Sequence, residues 1–465
     1  MADDADGPFN DAVLQANAWC GEAAVTTRDA SFDSWGMSGR RKPLKRMLAP
    51  QPVEPGNWRD PAIGWGIILP DSTADAKDKA RALDAPECVR TLLARRGDAP
   101  VFRYRPELPD GKLRRYAPDG APSDPAITGA RGNALNEIPQ FLLILGSPAE
   151  IPWALQYRLQ LDACVGRLDL DAAGLERYVD ALLSDWTGSA VQRTSPLVWA
   201  SDHGAGDISR LMRRTISDRL AKAFSDDGEF NMTGGFLTDA EGTHAALVGA
   251  LATRRPAFVA TSSHGATFPL NDTAAMAAQL GLPIDRDRST LSLASLIIEW
   301  SPLGTIWYSH ACCSAGADAS SSFMGAATDE STLARTLTAL QLVGATSAPL
   351  PRLLLGGAAP ARAFIGHVEP TFDWTLRDPV NGQTTTAHII EAFYNQLHLK
   401  TRPPLGLAMQ TYYRSVGGLW RDVARTYPKV NRMTPGATAT LSRLRLIASD
   451  LESMVLLGDP TVTLG

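Results

Sequence analysis

A histidine and a pair of cysteines stand at the ends of two apolar segments in the middle of this chain. His264 closely follows residues 257–261, and Cys312 follows residues 305–308, with Cys313 directly after it. A thiol attacks readily near neutral pH only when a base or a positive charge favours its thiolate, and an imidazole within hydrogen-bond reach supplies this. These residue types therefore indicate acyl-transfer chemistry with a thiol nucleophile.

The spacing of the two segments predicts that they are neighbouring strands. Cys312 follows His264 by 48 residues, which is room for a loop, a crossover helix near residues 291–300 and the return strand of one βαβ unit. Open α/β sheets place their ligands beyond the carboxyl ends of parallel strands. We therefore expect the imidazole and the thiol to meet at one edge of a sheet.

Gly265, directly after the histidine, has a chemical reason to be a glycine. Without a Cβ, its N–H can approach a substrate carbonyl and share an oxyanion hole with the N–H of Cys312. Simpler interpretations exist for each residue. A buried cysteine often serves only as a small apolar core residue, and His-Gly is a common turn.

This combination resembles the cysteine peptidases of the caspase, legumain, metacaspase and gingipain clan, which carry strand-His-Gly and then strand-Ala-Cys. The likeness is strongest to the gingipain-type branch and to the bacterial caspase-like (CHAT) peptidases. Residues 141–152, 165–168 and 455–461 are similar to further segments of that catalytic unit, in order, so the likeness spans about residues 60–465. It implies a caspase-like three-layer α/β sandwich with a mainly parallel sheet and two side-by-side α/β lobes.

The resemblance also implies roles for single residues. His264 matches the general base, and Cys312, directly after Ala311, matches the nucleophile. Cys313 departs from the family pattern, so the sequence leaves open which thiol acts. Asp202, which follows a predicted strand at residues 197–201, falls where gingipains have an acid that orients the histidine.

Four further residues are expected to line the substrate cleft. Asp207 resembles the acid that gives gingipains a preference for a basic P1 residue, although an aspartate at a helix start also caps the helix. Cys313 and His310 flank the proposed nucleophile. Trp374 belongs to an aromatic segment that either walls the cleft or packs in the core.

The chain divides into three expected regions. Residues 1–60 form an N-terminal extension, with a short amphipathic helix near residues 9–24 and an exposed basic loop at residues 38–46. That loop is a candidate self-cleavage site if the enzyme prefers Arg or Lys. Residues 61–190 are expected to form the first α/β lobe and residues 191–465 the caspase-like catalytic domain.

Alternation of apolar strands with helices predicts a parallel sheet covered on both faces. The predicted helices include residues 74–96, 354–365 and 437–454. Two long loops near the proposed centre, at residues 266–288 and 315–329, have the composition of functional lids.

The amino-acid composition limits the classes of partner that are expected. The formal net charge of −5 gives no indication of a nucleic-acid-binding surface. Five cysteines in 465 residues argue against a disulfide framework, and the seven scattered histidines show no metal pattern. The acidic N-terminus lacks a secretory apolar region, and no apolar run is long enough for a membrane span. We expect a cytoplasmic protein that needs no metal or organic cofactor.

The leading hypothesis is a cytoplasmic cysteine endopeptidase that hydrolyses peptide bonds through Cys312 and His264, with a preference for Arg or Lys. The resemblance implies regulation by an activating protein or a small signal molecule, as in bacterial antiviral defence or cell death. The alternatives are a non-catalytic sensor or scaffold with the same fold, and a peptide ligase with the same dyad.

Overall fold

The computed structural model describes residues 13–21, 24–28, 54–328 and 330–465. The basic loop predicted at residues 38–46 lies outside the described residues. Numbered along the chain, the strands are β1 Val13–Trp19, β2 Ala24–Arg28, β3 Trp65–Pro70, β4 Val101–Tyr104, β5 Arg114–Tyr116, β6 Pro122–Ser123, β7 Phe141–Leu145, β8 Cys164–Leu168, β9 Leu197–Ala200, β10 Phe236–Leu237, β11 Phe258–Ser262, β12 Gly265–Ala266, β13 Ile306–His310, β14 Gly316–Ala317, β15 Thr346–Ser347, β16 Ala363–His367 and β17 Met454–Gly458.

Helices connect most of these strands, and two of the helical segments include a π-helical stretch. The α-helices are α1 Ala76–Ala80, α2 Glu87–Arg95, α3 Trp153–Gln160, α4 Ala172–Leu183, α5 Ile208–Met212, α6 Asp218–Asp226, α7 His244–Arg254, α8 Thr273–Gln279, α9 Leu293–Glu299, α10 Thr332–Val343, α11 Pro349–Gly356, α12 Ala387–Ile390, α13 Leu405–Asn431 and α14 Ala437–Glu452. The π-helical stretches are Arg213–Ser217 and Glu391–Gln396, and short 3₁₀ turns are Asp239–Glu241, Met324–Ala326 and Asp373–Thr375.

Twelve strands form one sheet in the order β10-β9-β11-β13-β16-β17-β8-β7-β3-β4-β5-β6. Its pairs are parallel except for β16 with β17 and the edge formed by β4, β5 and β6. The predicted α/β class with a mainly parallel sheet is confirmed. The two expected lobes share this sheet, because β17 pairs with β16 on one side and with β8 on the other.

Apolar side chains cover both faces of the sheet. Along β7, Phe141 and Leu143 join one core cluster, whereas Leu142 and Ile144 join another. Successive side chains of a strand point to opposite faces, so a strand buried on both sides reads as a continuous apolar run. This arrangement of helices around a doubly buried sheet is a three-layer α/β architecture.

Three predicted helices were wrong in type or extent. Residues 354–365 are not one helix: α11 ends at Gly356, before Gly357 and Pro360, and β16 then runs beside β13 in the middle of the sheet. Residues 74–96 form two helices: α1 ends at Ala80, and α2 begins directly after its N-cap, Pro86. The helix predicted for residues 437–454 ends at Glu452, and β17 begins two residues later.

The N-terminal segment also differs from its prediction. Instead of a helix near residues 9–24, β1 and β2 form an antiparallel hairpin, and β1 pairs in parallel with β12. A short apolar run of this length is compatible with either a helix or a strand, so the long-range pairing decides.

The longest helix in the described part of the chain is α13, with 27 residues, one of which is Pro428. It packs against α14 and mixes buried and polar residues along its length. None of the described helices combines the length and the apolar character that crossing a bilayer requires.

Candidate active site

The main chains of His264 and Cys312 approach each other at the carboxyl edge of the sheet. Strands β11 and β13 are parallel and in register up to the pair Ser262 and His310, so His264 and Cys312 each lie two residues past that pair. A Cβ added at Gly265 would lie 1.9 Å from the carbonyl oxygen of Cys312. Only glycine permits this approach.

The side chains of His264 and Cys312 nevertheless contact different partners. Nε2 of His264 lies 2.9 Å from Oδ1 of Asp207, which follows β9. Sγ of Cys312 accepts a hydrogen bond from the N–H of Thr371, 3.2 Å away, in the segment after β16. Strands β9 and β16 flank the β11–β13 pair on opposite sides. Within the described residues, no hydrogen bond joins the imidazole to the thiol, because Nδ1 of His264 has no partner.

Asp207, and not Asp202, orients the histidine, which corrects the expectation. Asp207 is the N-cap of α5 and accepts a hydrogen bond from the Ser209 N–H at 2.8 Å, so the capping interpretation also holds. Burial by itself would raise the pKa of Asp207, but the hydrogen bond and the charge of His264 outweigh it and hold the pKa well below its usual range.

Asp202 lies five residues earlier and has different partners. Its carboxylate forms ion pairs with Arg210 at 3.2 Å and Arg213 at 3.1 Å. It is therefore held by two guanidinium groups and makes no hydrogen bond to His264. The carboxylate of Asp207 is likewise hydrogen-bonded, to His264 and to the Ser209 N–H, so it is not available to bind a basic P1 side chain.

A second histidine, His203, was missed from the sequence. Its ring stacks on that of His264 with centroids 5.3 Å apart and an interplanar angle of 14°. Its Nε2 lies 2.8 Å from the carbonyl oxygen of Asp285, and burial lowers its pKa. A signal was present: His203-Gly204 follows β9 much as His264-Gly265 follows β11.

The N-terminal strand covers this pair of histidines. Ala18 and Trp19 of β1 pair with Gly265 and Ala266, and the Thr267 N–H donates to the carbonyl oxygen of Trp19 at 3.1 Å. The indole of Trp19 lies 5.8 Å from the His264 ring and 5.9 Å from that of His203, and only 5 % of the residue is exposed. A strand of the protein's own chain thus occupies the edge of β12.

Both cysteine side chains are inaccessible. Cys312 and Cys313 are 0 % exposed and belong to one apolar cluster with Trp374 and Phe372. Burial raises the pKa of each thiol well above its usual value, and for Cys312 the neighbouring Cys313 adds to this effect. In this arrangement both thiols stay protonated.

Three residues expected to line a substrate cleft lie in the core instead. His310 is buried in β13, with Nδ1 2.9 Å from the hydroxyl of Tyr308, and burial lowers its pKa to about 3. Trp374 is 7 % exposed and packs in the apolar cluster, as the alternative interpretation held. Cys313 has a φ of 55° and is fully buried.

The buried carboxylate of Glu369 is hydrogen-bonded to the loop that follows the two cysteines. Glu369 accepts hydrogen bonds from the Ser321 hydroxyl and from the Ser322 N–H, the latter at 3.0 Å. Its main-chain oxygen accepts the N–H of Cys313 at 3.3 Å. Burial raises the pKa of Glu369 to about 7, although both serine contacts oppose the rise. No local sequence pattern distinguishes Glu369 from other glutamates.

A polar cavity of about 580 Å³ opens beside His203. Its walls combine acidic and basic side chains with small residues: Asp202, His203, Gly204, Arg210, Asp239, Ala240, Arg286, Asp287 and Arg288. Arg288 also lies over the indole of Trp19, with 5.1 Å between the guanidinium carbon and the ring centroid. The cavity therefore adjoins both the histidine pair and the strand that covers it.

Comparisons with protein-family models, with curated proteins and with solved structures find no match to this chain. The chemical character of the site therefore follows from its own geometry. An imidazole oriented by a carboxylate can accept a proton, and a thiol on the neighbouring strand end can act as a nucleophile once it leaves its buried position. Among the described residues, His203, Asp207 and His264 also form a group with metal-ligand chemistry.

Proposed function

We propose that this protein is a cysteine endopeptidase in a latent state, with Cys312 as the nucleophile, His264 as the general base and Asp207 as the residue that orients His264. The observation that carries the proposal is the contact of Gly265 with the Cys312 main chain, combined with the 2.9 Å His264–Asp207 hydrogen bond. Together they supply a thiol and an oriented base on adjacent strand ends, which nucleophilic catalysis requires.

The catalytic cycle would use the groups at this edge of the sheet. Nδ1 of His264 has no hydrogen-bond partner among the described residues, so it is the ring nitrogen that takes the thiol proton. The thiolate of Cys312 attacks the scissile carbonyl, while the N–H groups of Gly265 and Cys312 stabilise the oxyanion. His264 then protonates the leaving amine, and water hydrolyses the thioester with His264 again acting as base.

Latency follows from two features of the arrangement. The thiol of Cys312 is bound to the Thr371 N–H and must rotate toward β11 to reach His264. Strand β1 lies on β12 and places Trp19 over the imidazole, so an extended peptide cannot use that edge until β1 leaves. Displacement of β1 is the step on which an activating protein or small signal molecule would act.

Cleavage after Arg or Lys stays part of the proposal, but a different acidic residue must bind the basic side chain of the substrate. Asp207 no longer supplies it, because its carboxylate is committed to His264. Asp202 is one of three acidic residues, with Asp239 and Asp287, that line the cavity beside His203, and its arginine partners would have to move away to admit a basic substrate side chain. A peptide library ending in Arg, Lys, Asp and Asn tests this point.

The decisive experiment compares four proteins: the full chain, a chain lacking residues 1–28, and the Cys312→Ala and Cys313→Ala variants of that truncated chain. We expect the truncated chain to cleave a proteome-derived peptide library and to be alkylated by iodoacetamide at Cys312. Cys312→Ala should abolish both, whereas Cys313→Ala should retain cleavage. Cleavage that survives Cys312→Ala would refute the proposed nucleophile.

One observation favours a second candidate, a non-catalytic sensor or scaffold. The thiol of Cys312 is fully buried and makes no hydrogen bond to a base, as expected of a structural cysteine. In that case the truncated chain would remain inert, and Cys312 would be alkylated no faster than the buried Cys164. Loss of rapid labelling in His264→Ala would instead support the enzyme.

A further inference from the structure

His203, Asp207 and His264 present three potential metal ligands to one another. A ring nitrogen from each histidine and a carboxylate oxygen of Asp207 all lie within 4.8 Å. Nδ1 of His203 is buried and has no hydrogen-bond partner within the described residues. Because buried polar atoms are normally satisfied, an orphaned ring nitrogen next to a carboxylate and a second imidazole suggests a missing ligand.

The distances suit a small divalent cation. Two imidazoles that bind one tetrahedral zinc ion at about 2.0–2.1 Å have ring centres roughly 5 Å apart. The observed separation of the His203 and His264 ring centroids is 5.3 Å. The carboxylate is already 2.9 Å from Nε2 of His264, close to the ~3.3 Å that separates two ligands bound to one tetrahedral zinc ion.

The surroundings allow a metal ion to enter and to complete its coordination. His203 lines the polar cavity of about 580 Å³, so the cluster is reachable from that side while Trp19 covers the other. Two histidines and one aspartate leave a coordination position for water, as in zinc sites that are not purely structural. Nitrogen and oxygen donors of this kind favour Zn²⁺ over Ca²⁺ or Mg²⁺.

We propose that His203, Asp207 and His264 bind one Zn²⁺ ion. The bound ion takes the place of the proton on Nε2 of His264, between that nitrogen and Asp207, and the neutral ring carries its one proton on Nδ1 instead. With Nδ1 protonated, His264 can no longer accept the thiol proton. The site itself does not depend on the proposed peptidase activity, but this inhibitory effect rests on it.

The test measures metal binding directly on the full chain with Co²⁺ as the spectroscopic probe and Zn²⁺ as the competitor. We expect one Co²⁺ per chain, with the visible absorption of a low-coordinate nitrogen–oxygen site, displaced by one Zn²⁺. His203→Asn should weaken binding by more than the roughly 10–100-fold that loss of an outer-shell partner costs. His244→Asn is the matched control, because His244 contacts Asp285 beside the cavity and lies outside the cluster.

A second variant protects the test against misfolding. Asp207→Asn keeps an N-cap for α5 and removes the anionic ligand, so it should fold and also lose Co²⁺ binding. No Co²⁺ site in the wild type, or equal affinity in the wild type and both variants, overturns the proposal. Inhibition of peptide cleavage by Zn²⁺ in the truncated chain, weakened in His203→Asn, is a separate readout. Inactivity of that chain would count against the peptidase and leave the binding result valid.

Discussion

The imidazole of His264 is paired with the carboxylate of Asp207, 2.9 Å from Nε2 to Oδ1, and not with the thiol of Cys312. In the proposed mechanism, the base is therefore already oriented while the thiol of Cys312 is still buried and protonated. In such a site, activation needs a movement of the thiol and of the covering strand, and the base can stay in place.

Replacing Asp207 or Asp202 by asparagine should have unequal effects on kcat. If the chain lacking residues 1–28 is active as proposed, Asp207→Asn in that chain should lower kcat by roughly 10²–10⁴-fold, because it removes the acceptor that sets the tautomer of His264. Asp202→Asn should change kcat by less than about tenfold, since Asp202 contacts Arg210 and Arg213 instead. Steady-state kinetics on one peptide measures kcat for both variants. Equal decreases in kcat would contradict the assignment of Asp207, and not Asp202, as the residue that orients His264.

Removing the indole that covers the site should expose the nucleophile. Trp19→Ala in the full chain should raise the rate of Cys312 alkylation at least about tenfold, because this side chain packs on His264 and anchors β1 against β12. Trp58→Ala is the matched control, since Trp58 stacks on Arg96 beside the other half of the sheet. Mass spectrometry of the labelled peptide gives the rate, and unchanged labelling in Trp19→Ala would rule out the covering role.

A methyl group at Gly265 should damage the site where the two strand ends meet. Gly265→Ala places a Cβ 1.9 Å from the Cys312 carbonyl oxygen, so the main chain must shift at a cost of about 1–3 kcal/mol. Gly249→Ala is the control: it lies in α7, with nothing within 4 Å of an added Cβ, and should stabilise the protein by up to about 1 kcal/mol. Denaturant unfolding compares the two, and a neutral Gly265→Ala would contradict the close approach.

The carboxyl of Glu369 should make stability depend on pH. Burial raises its pKa from 4.5 to about 7, so the fold favours the protonated form. Its contribution is complete below about pH 4.5 and is lost as the pH rises through about 7. Relative to Glu369→Gln, the wild type should therefore lose on the order of 2–3 kcal/mol of unfolding free energy between pH 5 and pH 8. Parallel pH profiles of the two proteins would refute the shift.

Much of the site could be read from local patterns. Apolar runs that end in His264-Gly265 and Ala311-Cys312 predict parallel strands, and parallel strands bring their carboxyl ends to one edge of a sheet. The adjacency of the two main chains follows from that rule, and the contact of Gly265 with Cys312 agrees with it. Strands were predicted wrongly as helices where glycine and proline interrupt the apolar pattern, as before β16, and where the partner strand is distant in sequence, as for β1.

The orientation of the side chains depended on contacts between distant parts of the chain. Asp202 and Asp207 lie on the same loop, and the placement of the arginines of α5 and its π-helical extension decides which one is free to reach His264. The sequence by itself determined the sheet and the meeting of the two strand ends, because hydrophobic periodicity and chain connectivity are local properties. Only the tertiary structure decided that Cys312 faces Thr371 and that Trp19 covers the imidazole. Side-chain rotamers and the pairing of edge strands depend on packing against residues that are distant in sequence.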